Sequence, residues 1–421
     1  MSDMSFLEKL LDGVEVEWKT LEGVIISLKT GLNPRQNFQL NSEDAEGYYV
    51  TVREIQNGKV TFLDKTDRVN KRALELINNR ANLEAGDILF SGTGTVGRTA
   101  VVEEEPLNWN VKEGVYVIKP DSSKIHSRYL SHLLNSQEIV KDYSKKIVGA
   151  PVISLPMGDL RKLQIPIPCP DNPEKSLEIQ TEIVRILDTF TELTAELTAE
   201  LNLRKKQYNY YRDKLLSFPC SSVGTQGEAG MHSHAGAWER GEEGEVEWKT
   251  LGEVANIKNG KDWKKLGAGD IPVYGSGGVM QHVDTFAYDK PTVLIPRKGS
   301  ITNIFYLESP FWNVDTIYYT EIDTGQIIPK FFYYFMKTID LMQLDTGSGR
   351  PSLTQAILNE IKIPLPALDE QARIVAILDK FDTLTHSISE GLPREIELRQ
   401  KQYEYYRDLL LSFPKEEEPH A

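Results

Sequence analysis

Apolar residues recur at helical spacing in two long stretches. From Ile179 they fall at Ile183, Ile186, Phe190, Leu193 and Leu197, alternating steps of four and three. That heptad pattern predicts a helix burying one stripe against another helix. Thr194-Ala-Glu-Leu197 is then duplicated as Thr198-Ala-Glu-Leu201, a four-residue insertion that shifts the stripe as a stutter. Beyond it Tyr208, Tyr211 and Leu215 continue the face, and Pro219 ends it. The second stretch runs through Ile374, Ile377, Phe381, Leu384 and Ile388 to Gly391-Leu-Pro393, where a kink or break is expected. It resumes through Ile396, Tyr403, Tyr406 and Leu410. Each helix of roughly 40 residues would span about 60 Å. The two are expected to pack antiparallel on each other.

The remaining sequence reads as mixed α/β. Asp87-Ile-Leu-Phe90 and Thr292-Val-Leu-Ile295 are short buried-strand runs, each ending at a glycine-containing turn. Ser127–Leu134 and Pro329–Met336 read as short helices rich in Tyr, Leu and Phe. These features return in order, which predicts an internal repeat. Val16-Glu-Trp-Lys-Thr-Leu21 recurs unchanged from Val246 to Leu251, and Lys206-Gln-Tyr-Asn-Tyr-Tyr-Arg-Asp213 as Lys401-Gln-Tyr-Glu-Tyr-Tyr-Arg-Asp408. Between them Trp109-Asn-Val111 matches Trp312-Asn-Val314, and Gly149-Ala-Pro151 matches Gly349-Arg-Pro351. Ile165-Pro-Ile-Pro168 matches Ile363-Pro-Leu-Pro366, and Ile183–Asp188 matches Ile374–Asp379. The expected fold is two α/β (mixed α+β) globular parts, over 1–170 and 246–366. Helical regions over 171–219 and 367–421 follow them, and a Gly- and Glu-rich linker or insertion covers 220–245.

Composition narrows the class. No run of about 18 apolar residues could span a membrane. The first residues lack the basic and apolar regions of a secretory signal. Two cysteines, Cys169 and Cys220, suit a reducing cytosol. The net charge of −14 argues against a simple basic nucleic-acid binder. Its distribution reverses that inference. Residues 14–170 hold 20 basic and 20 acidic side chains, and 246–366 hold 12 and 13. The excess acid lies in the helices, linker and tails, so the globular parts can carry local basic surfaces. Candidate clusters are Arg68, Lys71 and Arg72; Lys145 and Lys146; and Lys258, Lys261, Lys264 and Lys265 around Trp263. Arg98, Arg297, Lys298 and Arg350 sit on or near turns. Such residues can contact phosphates or base edges, although a charge cluster is more often a solvated face.

Other motifs are weaker. Phe90-Ser-Gly-Thr-Gly-Thr-Val-Gly97 contains G-x-G-x-x-G, but a dinucleotide or methyl-donor site needs a helix N-terminus next. Arg98-Thr-Ala-Val-Val102 instead alternates like a strand, and the second copy has Pro296-Arg-Lys-Gly-Ser300 there. A glycine turn is the better reading. His232 and His234 lack the partners of a tetrahedral metal site. Glu17-Trp-Lys19 and Glu247-Trp-Lys249 suggest the end of a nuclease site, but the upstream acid Asp12 is too close, and a strand edge packing on the core is the better reading. No Walker loop, Ser/His/Asp signature or Asn-Pro-Pro-aromatic motif occurs. The chain reads as non-catalytic.

Two variable globular parts, each followed by a similar long helix, resemble the specificity subunit of type I restriction–modification systems. The specific marks are Gly86-Asp-Ile-Leu89 with Gly94-Thr95, the two Ile-Pro-x-Pro segments and Asp369-Glu-Gln-Ala-Arg-Ile-Val375. The tandem Thr-Ala-Glu-Leu units (Thr194, Leu197, Thr198, Leu201) and the Lys-Gln-Tyr-x-Tyr-Tyr-Arg-Asp ends resemble the IC-type branch. The resemblance implies two target recognition domains, each reading one half of an asymmetric bipartite DNA site. It also implies helices that set the spacer and dock two modification subunits, with Tyr208, Tyr211, Tyr403 and Tyr406 as docking candidates. S-adenosylmethionine, ATP and Mg would belong to the modification and restriction/translocase subunits, with no cofactor on this chain. The 220–245 segment is longer than the repeat requires. A coiled-coil scaffold with two protein-binding heads is the alternative, and an orphan methyltransferase is disfavoured by the missing motif. The setting expected is cytoplasmic.

Overall fold

The computed structural model describes residues 14–34, 37–218, 246–347, 349–387 and 389–413. The 220–245 segment, with His232 and His234, lies outside them. The described residues within 1–198 and 395–421 form one compact unit, and those within 199–394 form the other. These units run across the helical regions rather than between them.

The first unit contains strands β1 (Val16–Thr20), β2 (Ile25–Thr30), β3 (Gly47–Val50), β4 (Ile55–Gln56), β5 (Lys59–Val60) and β6 (Arg68–Val69). They are followed by β7 (Ile88–Ser91), β8 (Thr99–Val101), β9 (Trp109–Val111), β10 (Val115–Pro120) and β11 (Gln164–Pro168). Its short helices are α1 (Leu21–Val24), α2 (Lys71–Arg80), α3 (Ser127–Leu134), α4 (Gln137–Ser144) and α5 (Met157–Arg161). The central sheet has the order β2-β10-β7-β8, a smaller sheet the order β6-β3-β9, and β1 pairs with β11. Only β3 and β9 run parallel, so the domain is α+β in detail. The Ile88–Ser91 run is buried throughout because helices and the smaller sheet cover both faces.

The second unit repeats this plan. Its strands are β12 (Glu247–Thr250), β13 (Ala255–Lys258), β14 (Ile271–Gly275), β15 (Gly278–Val283) and β16 (Thr292–Pro296). They continue with β17 (Phe305–Leu307), β18 (Trp312–Asn313), β19 (Ile317–Ile322) and β20 (Lys362–Leu365). The sheets β13-β19-β16-β17, β15-β14-β18 and β12-β20 match the first unit strand for strand. Trp18 stands opposite Pro166, and Trp248 opposite Pro364. A Cβ on Gly31 would fall 1.8 Å from the Val111 carbonyl oxygen, and one on Gly260 2.1 Å from that of Val314. Close backbone approach is therefore also repeated.

The long helix α6 (Pro173–Leu215) begins in the first unit and ends in the second. After α7 (Leu251–Val254), α8 (Pro329–Met336) and α9 (Gln355–Asn359) come α10 (Leu368–His386) and α11 (Gly391–Leu410). The expected break falls just before Gly391-Leu-Pro393. Gly391 has a φ of 78° and closes against the Thr383 and Leu384 carbonyls. Pro393 sits in the first turn, where its missing N–H is harmless. In the second unit Tyr211 stacks on Phe381 and Tyr208 meets His386 edge-on, so α6 and α10 run antiparallel. In the first unit Phe190 of α6 stacks on Tyr406 of α11. Among the described residues no helix is long and apolar enough to cross a membrane.

Candidate nucleic-acid interface

The glycine-rich stretch is a hairpin turn. Leu89 pairs with Ala100 and Phe90 with Thr99 across β7 and β8, so a strand follows where a cofactor loop needs a helix. The glycines answer to packing: a Cβ on Gly92 would strike the Tyr116 ring at 2.1 Å, and one on Gly97 the Tyr143 hydroxyl at 2.3 Å. The acid-x-Lys segments are self-paired on strand faces, Glu17 with Lys19 at 2.9 Å and Glu247 with Lys249 at 3.3 Å.

In each unit this turn carries a second loop, held by the same backbone bonds. In the first, Leu155 N–H donates to Gly92 O (2.9 Å), Gly94 N–H donates to Ile153 O (2.8 Å), and Thr93 bridges Ser154. In the second, Leu353 N–H donates to Arg297 O (2.8 Å), Gly299 N–H donates to Pro351 O (3.0 Å), and Lys298 bridges Ser352. Gly94 and Gly299 share a positive φ, 82° and 86°. The equivalences are thus Gly92 with Arg297, Thr93 with Lys298, and Ile153 with Pro351. The sequence match of Gly149-Ala-Pro151 to Gly349-Arg-Pro351 is two residues out of this register. Val152, not Ala150, stands where Arg350 stands. The structure brings Arg297, Lys298 and Arg350 together, with Gly299 leaving room for the Arg350 guanidinium.

The other basic candidates are dispersed over exposed segments. Arg68 lies 4.4 Å over the Tyr48 ring, which stacks on Phe62. Lys71 and Arg72 open α2, where the helix dipole disfavours cations. Arg98 donates to the Val52 carbonyl at 3.1 Å. Lys145 is exposed at the end of α4, and Lys146 pairs with Asp142 at 2.9 Å. Lys258 pairs with Glu321 at 3.4 Å, and Lys261, Lys264 and Lys265 are exposed beside Trp263, which packs on Val273 and Val314.

The helices are joined to their domains by repeated polar contacts. Gln180 accepts from His126 N–H and Gln371 from Ile328 N–H, both at 2.8 Å. Asp188 meets Arg128 at 3.0 Å and His132 Nε2 at 2.9 Å, while Asp379 meets Lys330 at 2.9 Å and accepts from the Tyr334 hydroxyl at 2.6 Å. Burial alone would raise the Asp188 carboxyl. The His132 hydrogen bond and the Arg128 charge outweigh it and hold the carboxyl below its ordinary range. Tyr403 faces His132 Nδ1 at 2.9 Å, and its burial pushes its hydroxyl up to about 12.

The four tyrosines expected to dock partners turn inward. Tyr208 is buried, Tyr211 lies on Phe381, Tyr406 on Phe190, and Tyr403 is held by His132. Their repeat-equivalent neighbours point out instead: Leu203 and Tyr210 in one unit, Leu398 and Tyr405 in the other, each 43–58% exposed. Spaced by seven, each pair lies on one helix stripe. The 195-residue repeat offset was the signal that could have singled them out. In the Thr-Ala-Glu-Leu units, Thr194 and Thr198 hydroxyls donate to the Phe190 and Thr194 carbonyls at 2.8 Å, and Leu197 and Leu201 are half-buried. No cluster of metal-ligating side chains occurs among the described residues.

Residues 14–204 and 243–398 match the family described as the type I restriction modification DNA specificity domain. The specificity subunit of the Escherichia coli type I restriction enzyme EcoR124I/EcoR124II is 36% identical over 99% of both chains. That of the E. coli enzyme EcoprrI is 33% identical over 93% of both. The solved S subunit of the M. genitalium type I restriction–modification system matches with a TM-score of 0.54 at 19% identity. The match covers 96% of this chain and 98% of that one, a likeness of fold.

Proposed function

This chain belongs to the type I restriction–modification DNA specificity family, and from that premise we propose how its two units divide the work. Each globular domain reads one half of a bipartite duplex site. The helices set the distance between the halves and dock two copies of one modification subunit. The chain itself is non-catalytic. Methyl transfer from S-adenosylmethionine, and ATP- and Mg-dependent translocation and cleavage, belong to partner subunits in the cytoplasm.

The observation that carries this reading is the repetition with difference. The sheets, the Gln180 and Gln371 anchors and the exposed Leu-Tyr stripes repeat, as two copies of the same partner require. The loops after β7 and β16 share a backbone and differ in side chains, as readers of unlike half-sites require. Sequence is read by such side chains at base edges, while cations on the surrounding segments contact phosphates.

Co-expression with modification subunits, followed by methylation mapping, tests the reading. The expected result is methylation at one bipartite motif, with a single half altered when residues 246–366 are exchanged for another domain. Unchanged specificity after the exchange would refute it.

A further inference from the structure

We infer that the paired loops leading into α5 and α9, which rest on the turns after β7 and β16, are the base-reading elements, and that they read different bases: Val152 contacts a thymine methyl, and Arg350 a guanine. This rests on the DNA-reading function proposed above and adds which residues face which bases.

The two loops occupy one position in the repeated fold, fixed by the matching bonds to Gly92 and Arg297 and to Gly94 and Gly299. Both are held in shape before any ligand arrives. In the first unit Gly149 has a φ of 101°, and a Cβ there would strike the Val152 carbonyl at 2.4 Å. In the second, an Asp345 carboxylate oxygen accepts from both Gly347 and Ser352 N–H at 2.8 Å. Those two bonds hold its pKa below the usual carboxylate range.

The side chains on this shared frame are opposite in chemistry. Val148, Val152 and Ile153 are 56%, 61% and 39% exposed and form an apolar tip open to solvent. Lys145 stands exposed in the same segment, seven residues before Val152. On the major-groove edge the apolar feature is the thymine C5-methyl, which a branched aliphatic side chain can meet. At the equivalent place Arg350 lies over Gly299 with Lys298 and Arg297 beside it, and neither Arg350 nor Lys298 forms an ion pair among the described residues. A guanidinium fork uncommitted to carboxylate matches the paired O6 and N7 acceptors of guanine.

The test uses the full chain assembled with its modification subunits and a duplex carrying the motif found by methylation mapping. Each guanine is replaced in turn by 7-deazaguanine, and each thymine by uracil. One 7-deazaguanine position in one half-site is expected to weaken binding about 10-fold or more. One uracil position in the other half-site is expected to weaken it about 4-fold, the effect of one methyl. Arg350→Ala should lose only the first sensitivity and Val152→Ala only the second. Each variant's retained sensitivity at the other half-site shows that it is folded and assembled. Arg350→Lys, whose ammonium can reach O6 and N7 without the fixed fork, should keep part of the 7-deazaguanine sensitivity that Arg350→Ala loses. The assignment is overturned if either variant keeps the sensitivity it should lose, or if the half-sites lack the expected guanine or thymine. A wild-type complex that methylates no bipartite motif would sink the DNA-reading function itself, and the loop assignment with it.

Discussion

Tyr403 and Tyr208 occupy equivalent places in the repeat but differ in what their hydroxyls do. Tyr403 meets His132, whereas the buried Tyr208 hydroxyl has no hydrogen-bond partner among the described residues. Tyr334, at the His132 position, gives its hydroxyl to Asp379 instead. Removing one partner of a hydrogen bond costs about 1 kcal/mol, while removing an unsatisfied buried hydroxyl relieves a desolvation penalty. Tyr403→Phe should therefore lower stability by about 1 kcal/mol, and Tyr208→Phe should leave it unchanged or raised, as read by urea unfolding. Asp188 gives a pH-dependent counterpart. Its folded pKa is depressed, so its contribution is present above the ordinary carboxylate pKa and lost as pH falls through the depressed folded value. Asp188→Asn should cost about 2 kcal/mol at neutral pH. The gap to wild type should close only below about pH 4 in unfolding curves. None of this network was legible from sequence, because Arg128, His132 and Asp188 lie on different elements and only the fold brings them together.

At the level of elements, much was legible. The heptad stripes, the two helices from Ser127 and Pro329, and the β7 and β16 runs follow from local periodicity, which needs no tertiary information. The inward turn of Tyr208 and Tyr403 was missed because a half-polar aromatic suits either face of a helix. Position within the heptad, not residue type, decides that Leu203, Tyr210, Leu398 and Tyr405 are exposed. Leu203→Ser with Tyr210→Ser, or Leu398→Ser with Tyr405→Ser, should each remove one of two bound modification subunits without unfolding the chain. Native mass spectrometry would count them, and two retained subunits would refute the docking stripes. Each Thr-Ala-Glu-Leu unit adds about 6 Å of helix and about 40° of rotation. Deleting Thr198–Leu201 should therefore shorten the unspecified gap between half-sites by about one or two base pairs. An unchanged gap in the methylated motif would show that this helix does not set the spacing.

For the whole molecule, average charge conceals function. The −14 total sits mainly in helices, linker and tails, while the globular domains are near neutral and hold their cations in small exposed groups. The chain alone should bind duplex DNA weakly, with a salt slope reflecting only a few phosphate contacts. Fluorescence anisotropy across a salt series would measure it, and a tight, steeply salt-dependent complex would contradict the reading. The repeat was legible as an order of motifs. Its loop register was not, because the first loop is offset by two residues and only backbone hydrogen bonds reveal the shift.

The division of the chain has a consequence for biosynthesis. The core beneath β1 and α3 includes Leu410, Leu411 and Phe413, so the first unit is completed by residues made after the whole of the second. The other unit draws only on 199–394 and has all its parts earlier. Although domains generally mature in the order of synthesis, this geometry reverses it. The first unit's core is complete only once the ribosome has delivered Leu410, Leu411 and Phe413.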